Sequence, residues 1–209
     1  MRARILAVLG VLAAGTLLAG CSGSGNATTT NNGGGTPSSS AAGSSGSGSG
    51  GAPTVTHVID PGSLAKQPCK LLSTSQLQAI HIKATHVAND AQGYGCQWDD
   101  GPDNTSIEYV FYPQFSLSYF YDHRSDYQSK GYFQPTTLAS QPAVYENDQG
   151  DDRSQGNCNI AVGLSDTTAI EMDYSGHAAL NETVGSQGCT RLTQAASEVV
   201  QALQANGGK

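Results

Sequence analysis

The sequence is poor in charge, and in positive charge above all. Charged residues make up 13% of the 209 residues, and 10 Lys and Arg stand against 17 Asp and Glu, for a formal net charge of −7. Nucleic acids and anionic membrane surfaces attract basic proteins. The composition therefore argues against a nucleic-acid partner and against a membrane surface held by charge.

The residue patterns of common catalytic and metal sites are also missing. No HExxH pair is present, and GLSDT around Ser165 does not match the GxSxG turn that carries a nucleophilic serine. The acidic loops at residues 99–104 and 146–152 lack the spacing of a calcium-binding EF-hand. We therefore predict no catalytic residue, no metal ligand and no cofactor. An enzyme whose catalytic groups lie far apart in sequence stays open as the alternative.

Long apolar runs are absent except for one at the start of the chain. Arg2 and Arg4 precede an apolar stretch at residues 5–18, and the segment LLAGC ends at Cys21. A membrane-spanning helix needs about 20 apolar residues, so this shorter run predicts a signal peptide at residues 1–20. LLAGC resembles the lipobox of bacterial lipoproteins. That resemblance implies that Cys21 carries lipid, palmitate included, and anchors the protein to the extracytoplasmic face of the cell membrane.

A segment without charged side chains separates this anchor from the rest of the chain. Residues 22–58 contain no Asp, Glu, Lys or Arg and consist mostly of Gly, Ser, Thr, Ala and Asn. Such a segment buries too little apolar surface to fold. Residues 21–60 are therefore predicted to form a lipidated, flexible tether with a span of about 35 Å. The remaining residues, 61–209, have the length of one extracytoplasmic domain.

Five cysteines are present, an odd number that becomes even once Cys21 is assigned to lipid. Outside the cytoplasm, four remaining cysteines indicate two disulfide bonds. Cys69 and Cys189 both precede predicted helices, whereas Cys96 and Cys158 lie in predicted strands. We therefore favour the pairs Cys69–Cys189 and Cys96–Cys158, with the sequential pairs Cys69–Cys96 and Cys158–Cys189 as the alternative.

The spacing of apolar residues predicts an α+β domain. Ser73 and Gln76 form a capping-box pattern before a short helix, and apolar residues at helical spacing predict helices over residues 116–130 and 192–203. Strands are predicted in GYGCQW, SIEYVFY, residues 133–138, residues 143–146, NCNIAVGLS and TAIEMDYS. Meandering strands bracketed by helices favour a mostly antiparallel sheet with helices packed on one face.

Four segments with one cysteine each add a family resemblance. PCKLLSTSQL, GCQW, NCNIAVGLSD and CTRLTQAASEVVQAL resemble, in this order, the actinobacterial lipoproteins of the domain of unknown function 3558 family. The resemblance covers residues 68–203 and implies an envelope lipoprotein from a Gram-positive actinobacterium. It implies no established chemistry, so function has to be argued from candidate sites.

Aromatic residues are concentrated in one part of the domain, since ten of the fourteen lie within residues 109–133. On the predicted helix, Tyr119 points away from the apolar stripe and Arg124 lies within it. We predict that Tyr112, Tyr119, Arg124 and Tyr127 line a groove for an apolar ligand that bears an acidic group. The alternative is that these rings only form the core between helix and sheet, with Arg124 extending to an acidic neighbour.

Together these features favour an envelope lipoprotein, anchored in the membrane by lipid, whose domain binds a small apolar ligand or an envelope protein without catalysing a reaction. Two alternatives stay open: an envelope hydrolase and a purely structural surface lipoprotein. A cleft with His and Asp or Glu side chains in hydrogen-bond reach would favour the hydrolase. An aromatic pocket without them would favour binding, and a featureless polar surface would favour a structural role.

Overall fold

The computed structural model describes residues 49–84, 86–89, 93–100, 105–176 and 187–206. The predicted signal peptide, Cys21 and residues 22–48 of the predicted tether lie outside the described residues. Within the described ranges, no helix combines the length and the apolar character that crossing a membrane requires.

One antiparallel sheet of seven strands forms the centre of the described part of the chain. The strands are β1 (His86–Asn89), β2 (Gly95–Asp99), β3 (Ser106–Tyr112), β4 (Tyr132–Leu138), β5 (Gln141–Asn147), β6 (Cys158–Gly163) and β7 (Ala169–Ser175). Their order is β1-β2-β3-β7-β6-β5-β4, so β3 and β7 are central neighbours although they are far apart in sequence. The predicted α+β class with an antiparallel sheet is confirmed. The sequence did not predict β1, whose four residues are all exposed.

The described residues form four α-helices, which are α1 (Thr74–Ala79), α2 (Leu117–Asp122), α3 (Arg124–Lys130) and α4 (Gly188–Asn206). The predicted capping box before α1 is confirmed, because the Ser73 side chain accepts from the Gln76 backbone N–H and the Gln76 side chain accepts from that of Ser73. The single helix predicted over residues 116–130 is instead broken at His123, whose φ of −98° and ψ of 12° are not helical.

Helices cover both faces of the sheet, whereas the sequence predicted helices on one face. On the first face, Ile160 and Met172 pack in the main core with Leu192 and other apolar side chains of α4. On the second face, Ala161 and Phe120 belong to a smaller core that joins β6 to α2. Successive residues of a strand point to opposite faces, and β6 is buried at nearly every position. This strand therefore contributes to both cores.

The predicted tether extends to residue 60, but the chain packs on the domain before that point. Ala52, Val55 and Ile59 are buried, and the Ile59 N–H donates to the Leu164 carbonyl at 2.8 Å. Gly, Pro and Thr surround Ala52 and Val55 and give this segment the composition of a tether, so the sequence did not indicate their burial. The domain therefore has a short N-terminal extension that belongs to its folded part.

The disulfide bonds are Cys69–Cys96 and Cys158–Cys189, with Cα–Cα distances of 5.1 and 5.0 Å. Two disulfides are confirmed, but the favoured pairs Cys69–Cys189 and Cys96–Cys158 are wrong and the sequential alternative is correct. Strands β3 and β7 lie between Cys96 in β2 and Cys158 in β6. Neighbouring strands are about 4.8 Å apart, so about 14 Å separates β2 from β6. A disulfide spans at most about 7 Å between Cα atoms.

Candidate ligand-binding groove

A cavity of about 200 Å³ lies on the second face of the sheet, between the strands and the α2–α3 segment. Its lining consists of Tyr112, Phe115, Tyr119, Phe120, Tyr127 and Glu171. Tyr112 is the last residue of β3, and the chain then turns through Pro113 and Gln114 into α2. This turn carries aromatic side chains back over the sheet and builds the wall of the cavity.

The five aromatic rings of this wall form an unbroken series of contacts. Ring centroids lie 6.0 Å apart for Tyr112–Phe115, 5.0 Å for Phe115–Tyr119, 5.6 Å for Tyr119–Phe120 and 6.2 Å for Phe120–Tyr127. The first and third pairs are edge-on, whereas the last is stacked, so ring faces point in several directions. Phe115 and Tyr119 are 47% and 40% exposed. The cavity is therefore accessible on their side.

The acidic group of the cavity is Glu171 in the central strand β7. The strand register places it between Val110 of β3 and Ala161 of β6. The Tyr112 hydroxyl donates a hydrogen bond to its carboxyl group, and the side chain of Glu146 in β5 is hydrogen-bonded to it as well. Two carboxyl groups share a hydrogen bond only when one of them keeps a proton. Glu146 and Glu171 therefore form a proton-sharing pair.

Burial raises the pKa values of three acidic residues on this face, Glu146, Glu171 and Asp173. Burial, with added repulsion from Glu171, raises the pKa of Glu146 well above its usual range. Burial also raises the pKa of Glu171, although the hydrogen bonds from Tyr112 and Glu146 oppose this shift. Asp173, two residues along β7, has its pKa raised to about 7, mainly by burial and next by repulsion from Glu171. The pair therefore holds one proton at neutral pH and carries about one negative charge.

A wider depression of about 430 Å³ adjoins the cavity. The two spaces share Tyr112 and Phe115, and the depression adds Tyr94 and Glu108 to the lining. Among the described residues, five large apolar side chains are exposed, and three of them, Tyr94, Phe115 and Tyr119, line these two spaces. Exposed aromatic side chains gathered in one concave surface are typical of a binding site. Cavity and depression together are called the aromatic groove.

The structure brings together three of the four residues that the sequence placed in a groove. Tyr112, Tyr119 and Tyr127 line the cavity, whereas Arg124 does not. The charged group at the cavity wall is instead the carboxyl group of Glu171. A carboxylate repels a ligand that bears an acidic group, so the expectation of an acidic ligand loses its basis.

Arg124 has a different set of neighbours. Its guanidinium carbon lies 5.0 Å from the ring centroid of Tyr121 and 4.9 Å from that of Phe133, which is the range of cation–π contacts. The sequence-based placement assumed one continuous helix. Because the helix breaks at His123, Arg124 starts α3 and packs against rings that do not line the cavity.

Sequence reasoning missed Glu171 because it considered only the apolar side of the segment TAIEMDYS. Ile170, Met172 and Tyr174 face the main core, and strand alternation puts Glu171 and Asp173 on the opposite face. The available signal was the pair of acids at alternate positions of a strand whose other side is wholly apolar. Only the strand register, however, places Tyr112 and Glu146 beside Glu171.

His86 and His123 are not themselves part of the groove lining, although the His123 ring contacts the lining residue Tyr119. His86 Nδ1 is 3.3 Å from an oxygen of Asp99, and the His86 side chain is highly exposed on the edge strand β1. The His123 ring packs at 4.3 Å on Tyr119, with Nδ1 2.8 Å from the Tyr119 carbonyl oxygen. Across the described ranges, no group of three or more His, Cys, Asp or Glu side chains is placed to hold a metal ion.

Comparison with known proteins gives a family match without an activity. A family model described as "Protein of unknown function (DUF3558)" matches residues 16–202, which is most of the chain. No curated protein and no solved structure matches the chain. The function therefore has to be argued from the geometry of the aromatic groove.

Proposed function

The chain belongs to the DUF3558 family of proteins of unknown function, and we propose that it is a lipid-anchored envelope protein whose domain binds a ligand in the aromatic groove. Under this proposal Cys21 carries the lipid and the domain stands on the extracytoplasmic face of an actinobacterial cell membrane. One observation carries the binding function: five aromatic rings and a carboxyl group surround an accessible cavity of about 200 Å³.

The energetics of the cavity support binding. Phe115 and Tyr119 leave apolar surface in contact with water, and covering apolar surface contributes about 25 cal/mol per Å². A rigid wall also lowers the entropy cost of association. Two of the wall residues, Phe120 and Tyr127, are buried in the smaller core, which fixes their positions. A ligand that covers the open side therefore gains free energy without reorganising the sheet.

The envelope location has independent support in the chemistry of the cysteines. Disulfide bonds persist mainly in oxidising compartments outside the cytoplasm, and the domain contains the bonds Cys69–Cys96 and Cys158–Cys189. The lipobox-like segment LLAGC supplies Cys21 as the lipid acceptor. Two acyl chains on one cysteine would make the attachment stable, since one chain alone binds membranes reversibly.

Substitution of the lipid acceptor tests the anchor. Cys21→Ala should release the protein from carbonate-washed membranes of the producing cell, whereas the wild type should stay with them. The exposed substitution Val58→Ala is the control and should not change the partition. Retention of Cys21→Ala in the washed membrane fraction would refute lipid anchoring at this residue.

Native mass spectrometry tests the binding function. The released Cys21→Ala chain, purified from its own host without detergent, should carry a mass excess that is lost on denaturation, and the mass identifies the ligand. Preparations made without detergent or denaturant could instead show the mass of the protein alone. That result would contradict a stably bound small ligand and favour an envelope protein as the partner.

An envelope hydrolase is the second candidate, because hydrogen-bonded carboxyl pairs also serve in acid-base catalysis. The geometry favours binding instead. Glycoside hydrolases keep their two carboxyl groups about 5 Å or more apart, whereas those of Glu146 and Glu171 are hydrogen-bonded to each other. Glu146 is also only 2% exposed, so a substrate in the groove reaches Glu171 but not Glu146. Turnover of an envelope polymer that is lost in Glu171→Gln would reverse this choice.

A further inference from the structure

The cavity combines aromatic rings with a negative charge, and this combination selects for one class of ligand. We infer that the cavity of the aromatic groove is a binding site for an organic ammonium group, with Glu171 as its counter-ion. This inference rests on the proposed binding function and specifies the chemistry of the ligand.

The ring arrangement suits a cation. The faces of Tyr and Phe rings attract ammonium groups, and several rings in different orientations make a cage around such a group. Here Phe120 and Tyr127 stack at an interplanar angle of 29°, Tyr119 stands at 90° to Phe120, and Phe115 is tilted by 58° from Tyr119. An ammonium group inside the cavity therefore meets aromatic surface on several sides.

The negative charge at the wall is not balanced by a cation within the described ranges. The salt bridges there are His86–Asp99 and Arg153–Asp151, and neither involves Glu171. Arg124 is held over two other rings. Because the proton shared with Glu146 leaves one negative charge on the pair, Glu171 can act as the counter-ion of a bound cation.

The other member of the pair, Glu146, lies behind Glu171 on the same face of the sheet. Its side chain is 2% exposed, and its Oε1 atom has no hydrogen-bond partner among the described residues. An unsatisfied buried acceptor costs free energy. A ligand in the cavity does not reach this atom, but its negative partial charge adds to the potential behind Glu171, which favours a ligand that brings positive charge.

The dimensions fit a small ammonium head group. An apolar cavity of about 150 Å³ binds benzene, so the cavity of about 200 Å³ holds a branched ammonium group of similar bulk. The adjoining depression of about 430 Å³ shares Tyr112 and Phe115 with the cavity, and it leaves room for the remainder of the molecule. Its lining includes a further carboxyl group, that of Glu108.

Three probes with the same branched head but different charge test the ligand class. Choline is positive, 3,3-dimethylbutan-1-ol is its neutral analogue, and 3,3-dimethylbutyrate is negative. Isothermal titration calorimetry on the purified full chain should show that choline binds about tenfold more tightly than the alcohol, as expected for a cation in an aromatic cage with a counter-ion. The carboxylate should bind most weakly.

Matched variants test which residues make choline bind more tightly than the alcohol. Glu171→Gln should lower the affinity for choline about tenfold and leave the alcohol unchanged, while Asp126→Asn, which removes an exposed charge on α3 outside the groove lining, should change neither. Tyr119→Ala, at a partly exposed position that is safe for folding, should weaken choline binding as well. Thermal unfolding of each variant verifies that it is folded.

The outcomes separate this inference from the proposed function. If the alcohol or the carboxylate binds as tightly as choline and Tyr119→Ala abolishes that binding, the ammonium class is overturned while the binding function stands. If none of the three probes binds at millimolar concentration, the ammonium site is contradicted, and native mass spectrometry then decides whether the groove binds another ligand. Choline selectivity that Glu171→Gln leaves intact would refute Glu171 as the counter-ion.

Discussion

Replacing Glu146 by Gln tests the proton-sharing pair at the base of the cavity. Gln has the shape of a protonated Glu, and its amide can donate to Glu171 as the carboxyl proton does. The substitution therefore keeps the hydrogen bond in the folded state but removes a titrating group. Its effect should appear in the pH dependence of the free energy of unfolding.

The sign and size of the effect follow from the raised pKa values. In the unfolded chain Glu and Asp lose their protons near pH 4, whereas the folded protein keeps one proton on the Glu146–Glu171 pair and one on Asp173 up to about pH 7. The folded state thus binds more protons between about pH 5 and 7, so stability falls as pH rises. Each retained proton contributes a slope of about −1.4 kcal/mol per pH unit as an upper limit.

Urea unfolding at several pH values between about 5 and 7 measures this slope. The wild type should lose up to about 2.8 kcal/mol per pH unit and Glu146→Gln up to about 1.4. Asp126→Asn, an exposed substitution, should keep the wild-type slope. Equal slopes for wild type and Glu146→Gln, or a wild-type stability that rises with pH in this window, would refute the shared proton.

Three further variants test the disulfide framework, the main core and the groove wall. Replacing Cys69 and Cys96 together by Ala removes a bond with a sequence separation of 27 and should cost about 3.5 kcal/mol in urea unfolding; an unchanged midpoint would contradict a structural role for this disulfide. Met172→Ala in the main core should lower the free energy of unfolding by about 2 to 5 kcal/mol. Tyr119→Ala at the open side of the cavity should change it by less than about 1 kcal/mol. A larger loss for Tyr119→Ala than for Met172→Ala would contradict the burial of Met172 and the exposure of Tyr119.

Local sequence signals predicted the local structure well. Ser73 and Gln76 placed the start of α1 because a capping box involves residues only three apart. Alternation predicted β6 and β7 because side-chain direction has a period of two. By contrast, β1 is a short edge strand with four exposed residues, so no apolar pattern identified it.

Features that depend on long-range register were not predictable in the same way. The cysteine pairing required the strand order, because it is the position of β3 and β7 that separates Cys96 from Cys158. The helix break at His123 was missed as well, because no Pro or Gly lies there to predict it. The cysteine error arose because local patterns do not encode which elements become neighbours.

The candidate site was likewise predictable in part from local patterns, while the rest depended on long-range strand pairing. Aromatic density identified Tyr112, Tyr119 and Tyr127, since so many rings in one segment require a common packing surface. The charge of the cavity was missed because Glu171 is 59 residues beyond Tyr112 in sequence and reaches it only through the pairing of β3 with β7. The sequence thus indicated where the groove is, while the fold determines which charge lines it.

The most direct test of the central claim is a crystal structure of the chain purified from its own host. The account predicts electron density for a small molecule in the cavity between the rings of Tyr119 and Tyr127, in contact with Glu171. A structure in which Phe115 and Tyr119 fold inward and close the cavity, or in which only water occupies it, would contradict a ligand-binding groove at this site.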